Sequence, residues 1–249
     1  MDPVEITYFS DDVPGGPTVL VGGLPGIGQV GKVVVDHVLH EIDAEKVAEI
    51  HSVHFPPQVV NRPDGTCRLV NNEVWRYRSP TTTYLFLVGD CQSVSPEGHY
   101  VLADRYLDCA ERFGVQRIFT LGGYGVGHLV DEPRVLSTVT HAHLRPAVEE
   151  AGGTFEGDEA GSGIVGAAGL IIGLGARRGL EGVCLMGETS GYLVDPKSAA
   201  AVLRVFCRLT DIGVSHDRLQ GRAEDMEQAL EQVREFERVR QNDELSYIG

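Results

Sequence analysis

Apolar residues in this chain follow two rhythms that alternate along most of its length. Short apolar runs at Thr18 to Gly22, Thr83 to Val88, Val115 to Leu121 and Gly182 to Met186 have the length of strands buried on both faces. Between them, apolar positions recur at helical spacing. Val30, Val33, Val34, His37 and Val38 share one face of a helix predicted from about Gln29 to His40. Tyr100, Val101, Ala103, Leu107 and Ala110 serve a second helix from Pro96 to about Phe113. Ala167 to Arg178 reads as a small-residue helix. Asp195-Pro196, an N-cap followed by proline at the first helical position, opens another that runs to about Leu209. Ile6 to Phe9 predicts a short strand, and Lys46 to Val53 a strand that begins a βαβ unit. Val135 to Thr140 alternates as a half-exposed strand would, and Arg145 to Ala151 is a short helix. The pattern predicts an α/β fold, a mainly parallel sheet covered by helices on both faces.

Two stretches break the rhythm. Between Pro56 and Pro80, the turn signal Asn61-Arg62-Pro63-Asp64-Gly65 separates strand-like runs, and Leu69 to Arg78 resembles antiparallel strand material. A hairpin inserted into or beside the main sheet is expected there. After Ile212-Gly213 the residues become mostly Glu, Arg, Gln and Asp, with Leu219, Met226, Leu230, Val233, Phe236 and Val239 as a narrow apolar stripe. A helix so slim on its apolar side packs along a surface or another helix. The expected division is an α/β domain over 1–212 and a charged C-terminal helix with an apolar tip over 213–249.

Composition narrows the function classes. The 249 residues are 42% hydrophobic and 23% charged, as in a soluble globular protein. Thirty-six acidic residues face 21 basic ones, giving a net charge of −15, which repels nucleic acid and anionic membranes and favours solubility in high salt. The first residues lack the basic and apolar regions of a signal peptide, and the apolar stretch Gly163 to Ala176 is interrupted by glycines and too short to span a bilayer. A cytoplasmic protein is expected. Five scattered cysteines, none in a CxxC pair, argue against a disulfide scaffold or a structural zinc site.

Candidate chemistry centres on glycine-rich strand ends. Gly26, Gly28 and Gly31 satisfy the dinucleotide fingerprint in the right strand-to-helix context. A nucleotide fold also needs an acid at the end of the second strand to hold the ribose. That region reads Ile50-His51-Ser52-Val53-His54, and Pro25 sits inside the loop. A phosphate loop fails because Val33 follows Lys32. Gly89-Asp90, the cluster at 122–127 and Gly187-Glu188-Thr189 also follow strands, where open α/β sheets bind ligands. Gly26, Gly28, Asp90, Gly123, Tyr124 and Glu188 therefore outline a possible ligand cleft, with His128 nearby for acid–base work. The same carboxylates also suit turn or helix caps. His141-x-His143 and His37/His40 have metal-like spacing, but no cysteine or acid completes a ligand set, so no metal, cofactor or catalytic residue is assigned.

Three ordered motifs carry a resemblance. They are Gly23-Leu24-Pro25-Gly26-Ile27-Gly28-Gln29-Val30-Gly31-Lys32; Gly89-Asp90-Cys91-Gln92 through Glu97-Gly98-His99-Tyr100 to Thr120-Leu121-Gly122-Gly123-Tyr124; and Gly169-Leu170 through Cys184-Leu185-Met186-Gly187-Glu188-Thr189-Ser190-Gly191-Tyr192 to Asp195-Pro196-Lys197. Over roughly residues 15 to 212 the chain resembles the prokaryotic, archaeal branch of the second proteasome assembly chaperone family. The resemblance implies a nucleoside phosphorylase-like α/β fold, a homo-oligomer, and non-catalytic binding to proteasome α-subunits or rings. Some members dock through a C-terminal tail of hydrophobic residue, tyrosine and terminal residue. Here Tyr247 is third from the end and Ser246 precedes it, so Leu245, Tyr247, Ile248 and Gly249 match only approximately. An apolar tip on a charged helix still suits insertion into a partner's pocket. The alternative is a small-molecule binder or enzyme using the strand-end glycine loops for a nucleoside or phosphate.

Overall fold

In the computed structural model, residues 2–155 and 163–226 are described. The buried apolar runs become the centre of an eight-stranded sheet. β1 (Val4–Tyr8), β2 (Thr18–Gly22), α1 (Val30–Glu41) and β3 (Glu45–Ser52) open the chain. β4 (Val59–Asn61), β5 (Cys67–Leu69), β6 (Asn72–Arg78), β7 (Thr83–Gly89) and α2 (Pro96–Arg112) follow. Then come β8 (Arg117–Gly125), β9 (Val135–Val139), α3 (Arg145–Glu150), α4 (Ala167–Arg177), β10 (Glu181–Thr189) and α5 (Pro196–Leu209). The strand order is β1-β3-β6-β7-β2-β8-β10-β9. β7, β2, β8 and β10 run parallel, and antiparallel strands flank them on both sides. This is the expected α/β class, with the parallel strands at the centre.

Alternation along the central strands sorts side chains to two faces. Val19, Val21, Phe86, Phe119, Leu121 and Leu185 pack under α1 and α5, whereas Leu20, Leu85, Leu87, Ile118 and Cys184 pack under α2 and α4. Helix starts follow local chemistry. The Ser95 hydroxyl accepts from the Gly98 amide at 3.1 Å ahead of Pro96, and the Asp195 carboxylate accepts from the Ser198 amide at 2.9 Å ahead of Pro196. Cys91, Cys109 and Cys184 are buried among apolar neighbours, and burial pushes their thiols up to about 11, so they remain protonated at neutral pH.

Three details differ from the pattern reading. β3 runs in the same direction as β2 but lies three places from it, with β7 and β6 between, so the first crossover is wide. The 56–80 stretch divides: β4 and β5 form a separate two-stranded hairpin, while β6 joins the main sheet. β8 and β10 also run past their apolar cores into the glycine clusters, ending at Gly125 and Thr189. Strand statistics disfavour glycine, but here close neighbours require it. A helix over 217–226 carries Leu219 onto the α1/α5 side and buries Ala223, and the expected helix beyond it, with the apolar tip, lies outside the described residues.

Candidate functional site

The β2–α1 corner presses directly on β8. Gly28 has φ of 60°, and a Cβ there would lie 2.7 Å from the Thr189 hydroxyl. A Cβ on Gly31 would overlap the Leu121 carbonyl, and one on Gly123 would overlap the Ile27 carbonyl. Only glycine allows this approach of backbone to backbone. Gln29, at φ of 54°, is the non-glycine residue with positive φ among the described residues, and the turn is held by its amide donating to Gly26 at 3.0 Å. The Asp195 amide donates to the Gly28 carbonyl at 2.9 Å, tying the β10–α5 loop to the same corner.

Gln92 closes the other side. Its Nε2 donates to the Pro25 carbonyl at 2.6 Å, and its Oε1 accepts from the Ala167 amide at 2.9 Å. The first amide of α4, which an anion could otherwise take, is therefore satisfied within the chain. The crevice left beside Gly26, Ile27, Gln92, Thr120, Val165 and Met186 holds about 40 Å³. Small-molecule sites span roughly 300–1,000 Å³. The crevice has space for a few waters and not for a nucleoside.

The carboxylates of the possible cleft are placed apart. Asp90 follows β7 and grips Arg68 of the hairpin strand β5 through paired contacts of 2.5 and 2.9 Å, and also accepts from the Asn71 amide at 3.0 Å. The Arg68 guanidinium holds the Asp90 carboxyl below its ordinary range. It borders a cleft of about 430 Å³ shared with Lys32, Asp36, His40, Glu73 and Trp75. Lys32 in turn pairs with Asp36 at 2.8 Å. Glu188 lies on β10, separated from β7 by β8 and β2, three strand spacings or about 14 Å. It is 6% exposed and pairs with the Arg134 guanidinium, whose hydrogen bonds hold its carboxyl low. The Arg134 amide adds a bond at 3.1 Å. Glu188 and Tyr124 are register partners, as are Gly187 and Gly123. Gly28 and Gly123 meet around Thr189 at the corner, whereas alternation turns Tyr124 and Glu188 to the opposite face of the sheet, and Asp90 lies beyond β2 at the end of β7.

His128 is exposed, with Nδ1 3.0 Å from the Val126 carbonyl. His143 pairs with Glu181 at 2.8 Å, and among the described residues no group of three His, Cys, Asp or Glu side chains is placed to hold a metal. Among them, too, no helix is long and apolar enough to cross a membrane.

Above the crowded corner is a feature that pattern reading missed. Tyr192, Leu193 and Val194 in the β10–α5 loop, Ile27 in the β2–α1 corner and Val165 before α4 are all exposed, Tyr192 by 79% and Val165 by 93%. The loops touch: a Cβ on Gly191 would lie 3.4 Å from the Ile27 side chain. Three consecutive large apolar residues between a strand end and an Asp-Pro cap were the available signal, since neither element can bury them. Leu245, Tyr247, Ile248 and Gly249 lie outside the described residues.

A mixed sheet with a parallel centre, glycine-packed strand ends, paired carboxylates and an exposed apolar rim defines a three-layer α/β protein. Residues 20–234 match the PAC2 family, and the chain belongs to it. An uncharacterized protein of Methanocaldococcus jannaschii is 39% identical over 240 residues, covering 93% of this chain and 92% of that protein. The crystal structure of Pyrococcus furiosus PbaB, described as an archaeal proteasome activator, is 36% identical with a TM-score of 0.86, covering 94% of this chain and all of the other. Pyrococcus furiosus PbaA, described as an archaeal homolog of proteasome-assembly chaperone, shares the fold with 22% identity and a TM-score of 0.76, over 99% of this chain and 98% of its own.

Proposed function

We propose that this protein is a chaperone-like partner of the proteasome that binds α-subunits as a cytoplasmic homo-oligomer, without catalysis. The observation that carries this reading is the exposed apolar rim of Ile27, Val165, Tyr192, Leu193 and Val194 above a glycine corner whose crevice is too small for a nucleoside. An apolar patch of this kind marks a protein contact. Membership of the PAC2 family and the likeness to PbaB support a proteasome partner. The net charge of −15 disfavours nucleic acid and anionic membranes as partners. The C-terminal Leu245, Tyr247, Ile248 and Gly249 form a second contact, an apolar tip that inserts into an α-subunit pocket.

The test is a pull-down with purified proteasome α-subunits in high salt, comparing the full chain, a truncation after Asn242 and Tyr192→Ser/Leu193→Ser. The full chain should bind, and each change should weaken binding. Absence of binding by the full chain overturns the proposal. Undiminished binding by the truncation removes only the tail contact. Sedimentation of the full chain tests the homo-oligomer, and a monomer at every concentration rejects it.

A further inference from the structure

We infer that His37 and His216 form a pH-sensitive clasp, which holds the start of the 217–226 helix against α1 at neutral pH and releases it on acidification. His37 lies on α1 and is only 5% exposed. Its Nε2 is 2.7 Å from the Ser215 carbonyl, and because a carbonyl can only accept, Nε2 carries the proton. Ser215 and His216 begin the helix: the Ser215 hydroxyl accepts from the Asp217 amide at 3.1 Å, and the His216 carbonyl from the Gln220 amide at 3.0 Å. One turn on, Leu219 is buried in the α1/α5 cluster, and Ala223 after it is buried as well. The clasp therefore sits at the root of the segment that continues toward the C-terminus.

His216 is the sensitive half. Its Nδ1 is shut off from solvent with no hydrogen-bond partner. A neutral ring leaves one acceptor unmatched there; an imidazolium would bury a charged donor with nothing to receive it. Facing it are His37 from α1, Arg204 and Arg208 from α5, and Asp217 from its own helix, so like charges outnumber the single acid. A cation in the first turn also opposes the helix dipole. Burial first, then Arg204 and His37, lower the His216 proton affinity. The sign follows. The docked helix binds this proton less readily than the released one, so docking is fully favoured above the ordinary imidazole value of about 6.5 and weakens as pH falls below it. The clasp rests on this geometry, and any link between its release and α-subunit binding rests on the proposed function.

Amide hydrogen exchange on the full chain at about pH 7.5 and about pH 5.5, corrected for intrinsic rates, tests the clasp. Peptides covering 217–226 should exchange about fivefold or more faster at the lower pH while α2 keeps its protection; a tenfold change corresponds to one unit of pKa difference. His216→Phe, which keeps the bulk and removes the titration, should cut that acceleration to less than about twofold. Equal protection of 217–226 at both pH values, the same acceleration in His216→Phe, or a matching loss in α2, which would mean global unfolding, each overturns the inference. α-Subunit pull-down at the two pH values separates the readings: a clasp that opens without changing binding leaves it intact and rejects only its link to docking.

Discussion

Two neighbouring regions at the carboxyl ends of the parallel strands have opposite character. In the corner where Gly28, Gly31 and Gly123 meet Thr189, Leu121 and Ile27, backbones are in direct contact and nothing is left to accept a ligand. In the adjoining β10–α5 loop, Tyr192, Leu193 and Val194 are exposed large apolar residues. The glycines that suggest a nucleotide loop therefore serve packing, and the exposed apolar rim is made by residues that carry no motif. If the rim is the partner contact proposed, substitutions in the corner should affect stability and those in the rim binding, so the two should separate.

The largest effect is expected from Gly31→Val. Its side chain would drive into the Leu121 carbonyl, a backbone atom that cannot rotate away, and overpacking against a fixed neighbour costs about 3 kcal/mol or more. Denaturant unfolding should show this loss or a failure to fold. A variant of native stability would mean that α1 is not seated on β8 as described.

Next is the Arg134–Glu188 pair, at the boundary of the two regions. Arg134→Ala leaves a buried carboxylate without its guanidinium, and a loss of about 2 kcal/mol at neutral pH is expected, moderated because Arg134 is half exposed. The pH dependence gives a second check. Arg134 holds the Glu188 carboxyl low in the folded state, so this contribution is present above the unfolded carboxylate value of about 4.3 and is lost as pH falls below it. Glu188→Gln should flatten the acid limb of the stability curve; an unchanged limb would show that the pair adds nothing.

At the rim, Tyr192→Ser/Leu193→Ser should leave the unfolding free energy within about 0.5 kcal/mol per site, as expected for exposed positions. If the rim is a protein contact, α-subunit affinity should drop about tenfold or more, the scale of losing an aromatic anchor. Lost stability without lost binding would invert the comparison.

Pattern reading recovered the α/β class, the apolar strands, and the Pro96 and Asp195-Pro196 helix starts because periodicity and proline placement are local. It read Gly26, Gly28 and Gly31 as a strand-to-helix turn of dinucleotide-like spacing; what requires glycine there is Thr189 against Gly28 and the Leu121 carbonyl against Gly31, both far along the chain. The ends of β8 and β10 were missed for the same cause: Gly122, Gly123 and Gly187 look like loop residues until the neighbours that exclude a side chain are known. Arg68–Asp90 and Arg134–Glu188 were equally invisible, since 22 and 54 residues separate the partners and no spacing rule joins them. Their place after strands marked Asp90 and Glu188 as candidates for a ligand cleft; the arginines that engage them emerge only from the fold.

The smallest effect tests whether glycine is required at the corner specifically or merely tolerated throughout. Gly173, within α4, has nothing within 4 Å of where a Cβ would be and has ordinary helical backbone. Gly173→Ala should stabilise the chain by about 0.5–1 kcal/mol, through the lower entropy of the unfolded state and the higher helix propensity of alanine. Denaturant unfolding resolves a gain of that size. A loss instead would show that α4 meets a neighbour at Gly173, such as a second copy of the chain, and would move part of the contact surface from the rim to this helix.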